Sequence, residues 1–454
     1  MKNVLRSGCI LALWMMVGMA LVIPDALAVE PWFGARTDYV VGNGPISVVA
    51  IDLDGDGDND LAVADDRVCI LKNNGDGTFQ AAVNYVAGDE PTSVVAIDLD
   101  GDGDNDLAVA NYGTDAVSIL KNKGDGTFQT AVEYGTGDYP TCVFSIDLDG
   151  DGDNDLVTAN TNSDNVSVLE NNGDGTFAAP VNYGALDGPW SVTSADLDGD
   201  DDNDLVVCNS HSGYVSILKN NGYGTFAAPV NYYGIEQPSS AVAIDLDGDG
   251  DKDLAAGDYD LPRYESVLIL KNNGDGTFAA AVNYGAGDGP RSVFSIDLDR
   301  DGDNDLVAAN YFDNNVSVLE NNGDGTFAAT VNYGVGVGPR SVSLADLDGD
   351  GDNDLAVANL DSDNVTILLN LYMELCCEGI TGNVDGDPGE IIDIGDLTFL
   401  IRYLFIPPPV APECMNEANI DGDEAGIVDI GDLTGLIDYL FISQTPPADC
   451  PSGL

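Results

Sequence analysis

Seven stretches of this sequence place an aspartate at every second position over nine residues. They are Asp52, Asp54, Asp56, Asp58 and Asp60; Asp98, Asp100, Asp102, Asp104 and Asp106; Asp147, Asp149, Asp151, Asp153 and Asp155; Asp196, Asp198, Asp200, Asp202 and Asp204; Asp245, Asp247, Asp249, Asp251 and Asp253; Asp297, Asp299, Asp301, Asp303 and Asp305; and Asp346, Asp348, Asp350, Asp352 and Asp354. Carboxylates packed this closely repel one another unless a cation lies among them. Hard oxygen donors at alternating positions suit Ca²⁺, which takes many oxygens at flexible angles; Mg²⁺ demands a tighter octahedron. With a single histidine in 454 residues, a histidine-based zinc, copper or iron centre is excluded.

These loops hold 35 of the 79 acidic residues, and only 15 Lys and Arg oppose them, for a formal net charge of −64. That balance excludes nucleic acid and anionic membrane surfaces as electrostatic partners, since phosphate binding needs cationic side chains. Because 44% of the residues are hydrophobic, the chain still has the apolar material for a core. Residues 1–28 read as a secretory signal peptide. Lys2 and Arg6 lead, an apolar run extends from Ile10 to Ile23, and Ala26-Leu27-Ala28 supplies the small residues of a cleavage site. The run is short for a membrane span, and no other stretch is apolar enough, so the expected location is outside the cytoplasm.

What must position the loops is an internal repeat. The Asp motifs begin at spacings of 46, 49, 49, 49, 52 and 49 residues. The two irregular spacings arise in one connection, around Asp65 to Arg67 and Asp258 to Glu265, which marks it as a surface loop. Each unit reads as four short strands. The first runs from a proline into the Asp loop, as in Pro91 to Asp98; a compact apolar run such as Leu107 to Ala110 and an alternating segment, Val117 to Leu120, follow. An Asn-Asn-Gly-Asp-Gly turn (Asn73 to Gly77) then leads to T-F-x-x-x-V-x-Y, whose Phe, Val and Tyr are expected on one strand face. Four strands in such a repeat define a β-propeller blade. The last unit ends at Leu369 without its fourth strand, and Phe33 to Tyr39 supplies that pattern at the N-terminus. The expectation is therefore an all-β, seven-bladed propeller over 29–372, closed by its own first strand.

The loop Asp52-Leu53-Asp54-Gly55-Asp56-Gly57-Asp58-Asn59-Asp60 resembles the calcium motif D-x-D-x-D-G-x-x-D of the FG-GAP, or VCBS-type, repeat of bacterial secreted proteins and integrin α-chain propellers. By that resemblance, side chains at positions 1, 3, 5 and 9 bind the ion and position 7 offers its main-chain carbonyl. Asp201 replaces the position-6 glycine of the fourth loop, and Lys252 and Arg300 are basic intrusions that weaken the fifth and sixth sites. From residue 373 to 454 a different duplication appears: Gly382 to Leu397 returns 36 residues later, each copy running into an apolar helix. Two loop-helix halves resemble a type I dockerin, a small α-helical EF-hand-like module that docks on cohesin domains. The resemblance implies two further Ca²⁺ beside about seven in the propeller. The ligands are Asp385, Asp387, Asp396, Asp421, Asp423 and Asp432, joined by Asn383 and Asn419 in one register or by Asp393 and Asp429 in the other. Cys376, Cys377, Cys414 and Cys450 flank these units and allow two disulfides in an oxidising compartment, with the pairing open. Cys69, Cys142 and Cys208 stand where other blades carry small residues.

A site that distinguishes one ligand position must break the repeat. The residue after each leading proline is Ile46, Thr92, Thr141, Trp190, Ser239, Arg291 or Arg340, and this set should ring the mouth of the central channel, on the face opposite the Asp loops. Trp190, Arg291 and Arg340 suit a carbohydrate or carboxylate by ring packing and bidentate hydrogen bonding. Tyr112, His211, Tyr214, Tyr259, Arg263, Tyr264, Tyr311 and Phe312 decorate the loops nearby. No nucleophile elbow, catalytic triad spacing or phosphate loop is present. The expected protein is a secreted, calcium-binding adhesion module for a glycan or protein ligand, tethered by its tail to a cohesin-like domain or cell-surface scaffold, and not an enzyme. A lyase-like polysaccharide-degrading enzyme and a purely structural surface protein are the alternatives.

Overall fold

Apolar runs of five or six residues separated by Gly- and Asp-rich turns become strands because each can be buried on both faces. The computed structural model describes residues 32–259 and 266–371. The expected signal peptide, the tail module with its ligands and cysteines, and Arg263 and Tyr264 lie outside the described residues. In the second blade the strands are Pro91–Ile97, Asp106–Asn111, Ala116–Leu120 and Val132–Gly135, paired antiparallel in chain order. Seven such four-stranded sheets form the propeller, and a single 3₁₀ turn, Leu360–Ser362, is the helical element among the described residues. No helix there is long and apolar enough to cross a membrane.

The ring closes as the repeat pattern requires. Thr37–Val40 pairs antiparallel with Asn364–Leu368 in register Thr37↔Ile367 to Val40↔Asn364, so the first strand completes the seventh blade. Closure leaves no blade lacking its fourth strand. The second and third strands of the second blade are buried at every position, whereas its first strand is half-buried and its fourth mostly exposed. Packing of one sheet on the next therefore supplies the core. Leu53, Val68 and Ile70 of the first blade, for example, pack with Val94, Leu107, Val109 and Phe128 of the second.

Three repeated contacts join neighbouring blades. Asn122 donates from its amide to the carbonyls of Leu53 (2.8 Å) in the preceding blade and Asn105 (2.9 Å) in its own, and each turn asparagine from Asn73 to Asn370 reaches the preceding blade in the same way. Tyr85 meets Phe128 of the next blade edge-on at 5.2 Å, a pair that recurs around the ring. On the inner strands, the Ser47 hydroxyl accepts from Val94 N–H at 3.2 Å.

One expectation fails locally. The valine of T-F-x-x-x-V-x-Y does not share the buried face with the phenylalanine: Phe79 is 8% exposed but Val83 is 53% exposed. The fourth strand is only Val83–Tyr85, and Phe79 belongs to a separate bridge with Asn73. The alternation is thus interrupted between Phe and Val, and strict two-residue periodicity does not carry across.

Candidate functional site: the acidic loops and the channel mouth

Each Asp loop is folded by its own first carboxylate. Asp52 accepts hydrogen bonds from the main-chain N–H groups of Gly55 (2.7 Å), Gly57 (3.0 Å) and Asp54 (3.2 Å). Asp56 accepts from Asp58 N–H at 3.0 Å. Position 6 needs a left-handed backbone: Gly57 has φ +97°, and Asp201 in the fourth loop is held at +68°. Nothing lies within 4 Å of a side chain built at Gly57, so the departure at Asp201 strains the backbone without a clash.

The ninth residue ties the loop to the core. Asp60 is fully buried and accepts from Asn73 N–H at 2.7 Å and Leu53 N–H at 3.2 Å. Burial pushes Asp60, Asp106, Asp155 and Asp204 up to about 6, and Asp305 and Asp354 up to about 7. A carboxylate away from water favours its neutral form unless a positive charge faces it.

Carboxylate oxygens from positions 1, 3 and 9 come within 4.8 Å of one another in the loops at Asp52, Asp98, Asp147 and Asp245; in the fourth loop the trio is Asp196, Asp198 and Asp200. Buried oxygens of Asp54, Asp100, Asp198, Asp106 and Asp204 have no hydrogen-bond partner. Position 7 packs elsewhere: the Asp58 carboxylate lies against the turn glycine Gly75, where a side chain would meet its Oδ2 at 2.6 Å. All-oxygen groups with orphaned, buried lone pairs fit a hard divalent cation. Position 3 is also met from the side by a lysine in four blades, as in Lys72 to Asp54 at 2.8 Å and Lys219 to Asp198 at 2.8 Å. Arg300 turns to the neighbouring loop and pairs with Asp352 at 2.6 Å. Lys252 occupies position 8, where the asparagine of other blades donates to the preceding blade, as Asn105 does to the Asp52 carbonyl at 2.9 Å.

At the other end of the blades lies a cavity of about 620 Å³. All seven residues that follow the leading prolines line it: Ile46, Thr92, Thr141, Trp190, Ser239, Arg291 and Arg340. Its chemistry gathers around two arginines. The Arg291 guanidinium lies 3.1 Å from the centre of the Tyr259 ring, 5.5 Å from Trp190 and 5.7 Å from Tyr311. Arg340 lies 5.8 Å from the same Trp190 ring. Burial, with the charge of Arg340, pushes Arg291 down to about 10, which leaves it cationic at neutral pH. Tyr311 donates its hydroxyl to Asp361 at 2.9 Å, and Phe312 stacks on Tyr259. Tyr112 and His211 also reach the cavity, with His211 Nδ1 3.6 Å from an Asp187 carboxylate oxygen. Tyr214 packs on Tyr233 instead.

Two features of the mouth escaped sequence reasoning. A second set, Ser47, Ser93, Cys142, Ser191, Ser240, Ser292 and Ser341, also lines the cavity; its signal was the near-constant serine two places after the proline. The Tyr311–Asp361 contact joins residues 50 apart and left no local signal.

A seven-bladed propeller with an acidic turn in every blade is the class that fold and loops define. The model of the FG-GAP-like repeat matches residues 52–109, 98–158, 147–207, 196–256, 261–308 and 297–357, more than half of the chain. The chain belongs to the FG-GAP-like repeat family. No curated protein matches it by sequence. Similar solved structures include BBS1N in its complex with ARL6DN (TM-score 0.55, 14% identity, 75% of this chain and 98% of that one) and streptogramin B lyase (0.52, 14%, 75% and 99%). A lectin of Agrocybe aegerita that recognises non-reducing terminal N-acetylglucosamine gives 0.49 at 23% identity, covering 71% and 87%. At these identities the likeness is one of fold.

Proposed function

We propose that this chain is an exported, calcium-stabilised propeller that binds a glycan or protein ligand at its channel mouth. On this reading residues 1–28 direct export, and the dockerin-like segment 373–454 tethers the propeller to a cohesin-type scaffold or cell surface. The carrying observation is the convergence of Trp190, Arg291 and Arg340 within the cavity, where the other four blades place Ile, Thr or Ser. A concave site with a few converging polar groups and rings is the usual form of a ligand pocket. A protein ligand stands beside a glycan because the fold also occurs in BBS1N in complex with ARL6DN.

Calcium is assigned a structural role, since a loop repeated in every blade singles out no ligand position. Positions 1, 3, 5 and 9 would hold it with the position-7 carbonyl, and metal binding free energy then adds to folding free energy. Chelator should lower the melting temperature by many degrees and added Ca²⁺ should restore it; an unchanged melting curve in excess chelator removes calcium from the proposal. A glycan array probed with the full chain and with Trp190→Ala tests the binding face, and product analysis on any hit separates binding from cleavage. Binding is favoured because the Tyr311 hydroxyl is engaged by Asp361, and burial together with that bond raises its pKa. A phenol serving as a base needs the opposite shift.

A further inference from the structure

Among the described residues, every half-buried lysine pairs with an aspartate: Lys72 with Asp54, Lys121 with Asp100, Lys219 with Asp198 and Lys271 with Asp247. Among the described residues, Arg291 and Arg340 are half-buried cations that form no ion pair with an acid, unlike these lysines. The Arg291 Nε is buried and has no hydrogen-bond partner. Withdrawing a guanidinium from water without a counter-charge is unfavourable, and here two do so beside one another. Asp361, whose charge acts on Arg340, accepts from the Tyr311 hydroxyl.

The stacking explains how the two are held and what they offer. A guanidinium whose face lies on an aromatic ring keeps its N–H donors free in its own plane, in the fork that matches a carboxylate or sulfate. Tyr259 holds the face of Arg291, and Trp190 stands beside both arginines. The half-buried indole adds an apolar plane of the kind that packs on a sugar ring. The lining of the same cavity also carries Asp65, Asp66 and Glu90. An extended polyanion laid across the mouth would meet those acids, whereas a ligand with one acidic group can keep its charge at the arginines.

We infer that the channel mouth selects an anionic sugar, a pyranose bearing one acidic group, with Arg291 and Arg340 forking the acid and Trp190 packing on the ring. The inference rests on the proposed binding face and adds the substrate class. The wild-type full chain, loaded with Ca²⁺, is titrated calorimetrically with methyl glucuronide, glucose 6-sulfate, methyl glucoside, inorganic sulfate and an acidic hexapeptide. The two acidic sugars separate a carboxylate source from a sulfate source, and at least one should bind about tenfold or more tightly than the neutral glucoside, the value of one charge-assisted fork. Arg291→Gln and Arg340→Gln should each remove that preference, and Arg291→Lys, which keeps the charge but not the fork, should remove most of it. Equal binding of acidic and neutral sugars by the wild type overturns the inference and leaves the glycan-binding face standing. Preference for the hexapeptide, or sulfate binding as tight as the sulfated sugar, overturns the sugar assignment. No heat with any probe at millimolar concentration overturns the inference, and a positive array result would still keep the two failures apart.

Discussion

Asp60 shows how a single residue serves two masters, bonding Leu53 and Asn73 N–H groups while sharing a cluster with Asp52 and Asp54. Burial raises it and its counterparts Asp106, Asp155, Asp204, Asp305 and Asp354 from the ordinary 3.8 to about 6 or 7, and raises Asp253 as well. In cation-free protein the folded state therefore binds more protons than the unfolded chain across that window. The sign follows: stability is greatest near the unfolded value and falls as pH rises through the folded ones. The chelated protein should accordingly melt at progressively lower temperature from about pH 4 to about pH 7, while the calcium-loaded protein loses little over that range; a flat profile in chelator contradicts this. The alternating aspartates and their donor chemistry were legible in sequence, because spacing within nine residues is local. That position 9 is buried and position 7 lies over a turn glycine was not, since both depend on a turn more than a dozen residues away.

At the scale of the element, blades that look equivalent differ at the residue preceding the turn asparagine. Lys72, Lys121, Lys219 and Lys271 meet the third aspartate of their own loops. In the sixth blade Glu320 occupies that place, and burial, together with the charges of Asp301 and Glu320, pushes Asp299 up to about 6. This loop carries one more acid and no lysine, so its dependence on a cation should be the greater. Glu320→Lys should raise the melting temperature in chelator by on the order of 1–2 °C, the effect of a partly buried ion pair, and shrink the further rise on adding Ca²⁺. A lower melting temperature in chelator would contradict the assignment. Strand number and order were readable from the apolar runs, because both faces of the second and third strands are buried. The fourth strand misled: its Phe belongs to a separate bridge, so the alternation spans two elements.

For the whole molecule, the seventh blade has its fourth strand only because Thr37–Val40 returns to pair with Asn364–Leu368. Core contacts cross the same seam, with Val48, Leu61 and Phe79 packed on Leu347, Ala356 and Val365. A chain beginning at Gly42 should expose the third strand of that blade, melt earlier and associate through the open edge. Size-exclusion chromatography with light scattering reads the outcome, and a monomer with unchanged melting would refute it. With −64 formal charges over its full length, the chain also has self-repulsion to overcome. The sequence by itself determined the blade number, the closing strand, the acidic loops and the positions that break the repeat, because each is written in spacing or in departure from spacing. Only the tertiary structure decided that Arg291 and Arg340 face a common indole without an acidic partner, that Tyr311 is engaged by Asp361, and that Asn122 and its counterparts join neighbouring blades. Those contacts link residues 50 to 150 positions apart, and only the curvature of the closed ring brings such distances within reach of a side chain.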